Sequence, residues 1–162
     1  MNQQELYDFL KRQNIWHEIT VHADIYNMSE LSTIDAPYPD CVAKNLFVRD
    51  NKKREYYLIA VKGDKRVDLK AFRDKYNTRT LSFASAEDLM ERMALFPGAV
   101  TPFGLLNDEE CKITLFLDRD FMQDPGLIGV HPNHNTATVW LKVNDLVDII
   151  MQHGNPVHIV EV

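Results

Sequence analysis

Leu6, Phe9 and Leu10 recur at the spacing of one helix face, so the first dozen residues read as an amphipathic helix. Residues 16–21 then alternate apolar and polar like a half-buried strand. Ser29, Glu30 and Leu31 read as the start of a short helix, which Pro37 and Pro39 break. Residues 41–48 predict an apolar-rich strand, and the polar run Asp50, Asn51, Lys52, Lys53 turns it into a partner at 55–61. Amphipathic helices are expected at 67–76 and 85–93, the second with Ser85 as N-cap and Asp88 three positions on. A brief strand at 81–83 lies between them. Further strands are expected at 112–118, 127–130 and 136–143, the last rich in β-branched residues. Asn144 then caps a helix that runs to His153 and stops at Gly154, and residues 157–160 close as an edge strand. Helices and strands mix without a βαβ rhythm, which predicts an α+β fold around a mixed, mostly antiparallel sheet.

Composition leaves that picture unchanged. The 162 residues, 45% hydrophobic and 26% charged, suit one globular domain spanning 1–162. No apolar run approaches the roughly 18 residues of a membrane span, and the first residues lack a signal-peptide pattern, so a cytoplasmic location is expected. Cys41 and Cys111 sit in apolar surroundings with no CxxC spacing and read as buried thiols.

Charge narrows the partners. The net charge of −6 gives no broad footprint for duplex nucleic acid, and the basic residues between Lys44 and Arg79 are interleaved with acidic ones. A nucleic-acid partner would have to be gripped locally. GxGxxG, the Walker loop, GxSxG and HExxH are all missing. His131 and His134 have the spacing of a metal pair, yet no third ligand stands at a diagnostic distance, so no metal is expected.

Three features remain. Residues 98–107 pack Gly98, Pro102 and Gly104 into an apolar loop that could bring backbone groups close to a small ligand while Val100, Pro102 and Phe103 form an apolar wall. A plain buried connection is the alternative. Residues 129–136 place two imidazoles and two amides beside a strand, which also suits a polar turn. Lys44 interrupts the apolar run at 41–48 on the face opposite Asn45, where a cation is costly unless paired, ligand-facing or snorkelling to the edge.

Together AKNLFVRD at 43–50, PGAVTPFGLLND at 97–108 and GVHPNHNTATVWL at 129–141 resemble the YbaK/prolyl-tRNA-synthetase-associated domain family, and most of all its free-standing prolyl-tRNA deacylases. The resemblance runs along nearly the whole chain in the expected order. It implies a single-domain α/β sandwich that hydrolyses the ester between an amino acid and the terminal adenosine of tRNA, with no cofactor, metal or protein nucleophile. It implies that Lys44 holds the terminal phosphate, that Asn45 is the adjacent polar position, and that the Gly98 loop, with Thr101 and Pro102, contacts the aminoacyl group and places the water. His131 and Asn135 fall in the loop that completes the pocket, and His134 is less clearly matched. The expected partner is the acceptor end of proline tRNA, with prolyl-tRNA synthetase a second candidate. Alanine is the expected amino acid. Cysteine or serine, a non-catalytic tRNA-binding module and a small-molecule domain unrelated to tRNA stay open as alternatives.

Overall fold

The computed structural model describes residues 1–23 and 36–162; the helix expected at Ser29 lies outside the described residues. Helix α1 (Gln3–Arg12) begins with a reciprocal capping box between Asn2 and Glu5 and buries Leu6 and Leu10. Strand β1 (His17–Val21) follows. The expected hairpin is β2 (Ala43–Asp50) and β3 (Tyr56–Lys62). Its turn is closed by the buried Asp50, whose carboxylate accepts the Arg54 N–H at 2.8 Å. Helix α2 (Leu69–Tyr76) is capped by Asp68, and strand β4 is Leu81–Phe83. Helix α3 (Ala86–Met93) has the expected capping box, with the Asp88 N–H donating to the Ser85 hydroxyl at 3.0 Å. Strands β5 (Ile113–Asp118), β6 (Leu127–Val130) and β7 (Ala137–Lys142) precede helix α4 (Val143–His153) and strand β8 (Val157–Val160). One expected cap is corrected. Helix α4 starts a residue before Asn144, its N-cap is Lys142 with no side-chain hydrogen bond, and Gly154 ends it at φ 117°.

Two sheets result. β1, β7 and β6 form a three-stranded antiparallel sheet, while the five-stranded sheet has the order β4-β2-β3-β5-β8. β2 pairs antiparallel with β3 and β4, and β5 pairs parallel with β3 and β8, so β8 is an edge strand as expected. Helices α1, α3 and α4 cover one face of the larger sheet over the main core, which takes in Phe47, Leu58, Ala60 and Leu115. The opposite face, with Val48, Ile59, Val61 and Phe116, is covered by Phe72 of α2. An isolated parallel bridge between Val42 and Gly129 joins the sheets. There the indole of Trp140 lies so close over Gly129 that a Cβ on that glycine would meet the ring at 2.3 Å. Tyr38 packs edge-on against the same ring, and the indole N–H donates to the Thr20 hydroxyl at 2.9 Å.

Cys41 is buried as expected, whereas Cys111 is only half-buried. It sits in a left-handed turn (φ 55°) that leaves its thiol beside His153 at the end of α4. The apolar neighbours of Cys111 in sequence belong to the following strand, so they do not enclose it.

Candidate active site

Register divides the Lys44–Asn45 pair. Asn45 stands opposite Ala60 and faces the main core, while Lys44 stands opposite Val61 and faces the α2 side. The Lys44 ammonium donates to the carbonyl of Lys65. Lys65 in turn is gripped by Asp118 at 2.8 Å and Asp120 at 2.6 Å, and also reaches the carbonyl of Val162. Those two carboxylates outweigh the opposing effect of burial and raise the Lys65 pKa. Lys44 is thus tied to a firmly held turn at the end of β3.

A cavity of about 210 Å³ opens over the edge of β2, beyond the end of β4. Buried Phe47 and Leu89 and half-buried Asn45, Leu46, Ala84 and Val100 line it, and the exposed Phe83, Ser85, Ala86 and Pro97 stand at its outer rim. The cavity draws on both faces because β4 covers β2 only from Val48 to Asp50. The Ala84 N–H still reaches the Phe47 carbonyl at 3.0 Å. Peptide groups in a strand alternate sides, so those of Asn45 point the same way as Phe47's, toward the uncovered edge. The side-chain oxygen of Asn45 is buried with no hydrogen-bond partner among the described residues. A buried acceptor without a partner at a cavity wall carries uncompensated desolvation, which a ligand donor would relieve once it reached the oxygen.

The apolar loop reaches this cavity in part. A 3-10 turn at Pro97–Ala99 places Gly98 between two residues that line the cavity or adjoin one, with Val100 contributing to the wall. Of the expected wall, Val100 lines the cavity, whereas Pro102 and Phe103 are buried in a second 3-10 turn (Pro102–Asn107), Phe103 within the main core. Gly104 serves packing. A Cβ there would meet Leu95 at 2.5 Å and Met93 at 2.6 Å. The buried Thr101 donates its hydroxyl to the His131 carbonyl at 2.6 Å, which ties this loop to residues 129–136. His131 therefore touches the loop through its backbone, and its ring stays outside the cavity lining. Its Nδ1 lies 3.0 Å from the Ala137 carbonyl. Asn135 is buried outside the lining, and His134 turns to the Thr136 hydroxyl and packs edge-on against Phe96.

The model of the family described as "Aminoacyl-tRNA editing domain" matches residues 22–149. The chain is also 38% identical to the prolyl-tRNA editing protein ProX of Acetoanaerobium sticklandii, over 94% of this chain and 92% of that one. This chain belongs to the aminoacyl-tRNA editing domain family. It is 32% identical to the prolyl-tRNA synthetase associated domain-containing protein 1 of Danio rerio, over 88% of this chain and 77% of that one. The fold is shared with the crystal structure of a candidate trans-editing enzyme for prolyl tRNA synthetase, at a TM-score of 0.72 and 18% identity over 99% of this chain and 96% of that one.

For this editing domain, sequence reasoning missed Leu46, Phe47, Phe83, Ala84, Leu89 and Pro97 as lining residues. All six are apolar, four of them inside expected elements or at their ends, and apolar pattern alone does not tell a core contact from a cavity wall. Phe83 carried the one usable signal, an aromatic residue at the end of a short strand two positions before a helix cap.

Burial pushes the His131 imidazole below its ordinary value of 6.5, and the neighbouring His22 and His134 push the same way, against the Ala137 hydrogen bond. A depressed histidine is neutral in the fold, and the unfolded chain takes up the proton first as pH falls. The stability it contributes is present above 6.5 and is lost on acidification through the window below that value. Thermal melts from about pH 7 down to about pH 5 should show a steeper loss of Tm in the wild type than in His131→Asn, whose amide can keep the Ala137 contact. Equal slopes would assign the acid sensitivity to other groups.

Proposed function

We propose that this editing domain removes alanine from mischarged proline tRNA, by attack of water on the aminoacyl ester. The observation that carries the reading is the small, mostly apolar cavity over the β2 edge, with Asn45, whose buried side-chain oxygen has no partner among the described residues, in its wall. A methyl side chain suits Val100, Leu89 and Ala84, while Asn45 takes a donor from the ribose or the α-ammonium group. The relative named as a prolyl-tRNA editing protein supports the choice of tRNA.

The chemistry needs little from the protein beyond placement. A synthetase cannot reject alanine well by binding alone, because each methylene is worth only about 1–3 kcal/mol, and a second, smaller pocket solves this by excluding proline. Backbone groups of the Gly98 turn face the developing oxyanion and hold the attacking water. His131 and Asn135 act as positioning residues, His131 through its carbonyl bond to Thr101. Lys44 anchors a phosphate of the acceptor end, so the tRNA is gripped locally despite the net charge of −6. Prolyl-tRNA synthetase, which generates the mischarged product, is the natural partner, and the cytoplasm the natural location. Among the described residues no helix is long and apolar enough to cross a membrane.

The test is ester loss from proline tRNA charged with alanine, cysteine, serine or proline, with and without chelator. Alanine should be released fastest and proline spared, at a rate unaffected by chelator. Faster release of cysteine or serine would move the substrate, and charged tRNA that binds with its ester intact would make the domain a binding module.

A further inference from the structure

The outer rim of the cavity has no role in the chemistry above, and its aromatic member is Phe83, 63% accessible at the end of edge strand β4. Single exposed apolar side chains are common on protein surfaces and mean nothing by themselves. The position of this one is what matters. Phe83 stands opposite Val48 and so shares a sheet face with Leu46 and Lys44, whereas Asn45 and Val100 lie on the inner side of the same opening. Lys44 shares that sheet face outside the cavity lining, with its ammonium on the Lys65 carbonyl, while Asn45 lies within the lining.

Phe83 and Lys44 are separated by the span from Val48 to Lys44 along β2, about 13 Å at the rise of a strand. In a nucleotide the base and the 5′-phosphate project from opposite sides of the ribose. A ribose whose ester points to Asn45 would send its base one way along the rim and its phosphate the other.

We propose that Phe83 is the stacking platform for the terminal purine of the substrate and so sets how the ribose enters the cavity; this rests on the tRNA-editing reading above. Stacking suits an exposed ring, since every base has a π-face, and it adds affinity without a hydrogen-bond partner. The ring gains burial only when the base arrives, which accounts for a large apolar side chain left in water at the cavity mouth.

The experiment measures KM and kcat for alanine release by wild type, Phe83→Ala and Phe83→Trp, on two substrates. One is alanyl-tRNA with its natural end, and the other is the same tRNA with a terminal ribose that lacks its base. On the natural end, Phe83→Ala should raise KM about tenfold, in line with the strength of base–aromatic stacking, with kcat little changed and Phe83→Trp close to wild type. On the baseless end, wild type and Phe83→Ala should converge. An unchanged KM for Phe83→Ala on the natural end, or an equal loss on both ends, overturns the platform while leaving the editing reading intact. Wild-type protein that leaves the natural ester untouched overturns both.

Discussion

Lys44→Met should lower kcat/KM for alanyl-tRNA about tenfold to a hundredfold while leaving the melting temperature close to that of the wild type. A hydrogen bond to a charged group is worth about 1.5–3 kcal/mol, and at about 1.4 kcal/mol per decade that range gives the expected loss. The fold should tolerate the change because, among the described residues, the ammonium's hydrogen bond is to one part-buried carbonyl, that of Lys65, and the methionine stem can keep the apolar packing. A second readout separates phosphate binding from simple positioning. The slope of log kcat/KM against log salt should become shallower by about 0.7, the value for one phosphate contact on a single strand. An unchanged salt slope with a lowered rate would make Lys44 a structural tie to the Lys65 turn.

The second large effect is on stability. Gly129→Ala should cost about 3 kcal/mol, which for a chain of this size is roughly 10 °C in Tm. The new Cβ would sit 2.3 Å from the Trp140 indole, which is 1% exposed and held by Tyr38 and by the Thr20 hydroxyl. A rigid ring fixed on several sides cannot yield as the end of a flexible chain would. Pairing the change with Trp140→Leu offers the test. If the clash is the cause, the double variant should be less destabilised than the sum of the two single ones, whereas simple additivity would place the cost in the backbone.

Much of the fold was legible from local pattern. The hairpin at Asp50, the Ser85 capping box and the Gly154 stop depend on residues within a turn of one another, and the structure has them where the pattern puts them. The start of α4 was misread because Asn144 is a good cap by type, yet the backbone turns helical one residue earlier, after Lys142 leaves β7. Cys111 was misread because sequence neighbours do not report a left-handed turn.

The candidate site was legible in outline only. Alternation along β2 correctly set Lys44 and Asn45 on opposite faces. It could not show that the cavity straddles the strand edge and so draws on both. That depends on where β4 stops pairing, and on residues 97–100 meeting β2, far apart in the chain. Phe103 looked like a wall because its loop looked open; the 3-10 turn that follows Thr101 folds the ring into the core instead.

The three-stranded sheet pairs residues 17–21 with 137–141. No local hairpin can nucleate that contact, and a loop of such length must close before it is formed. On a ribosome, β1 would wait with both edges unpaired until β7 had emerged. The strand bearing Gly129 and the His131 loop it leads into would settle only then, so competence to edit is among the last properties the new chain acquires.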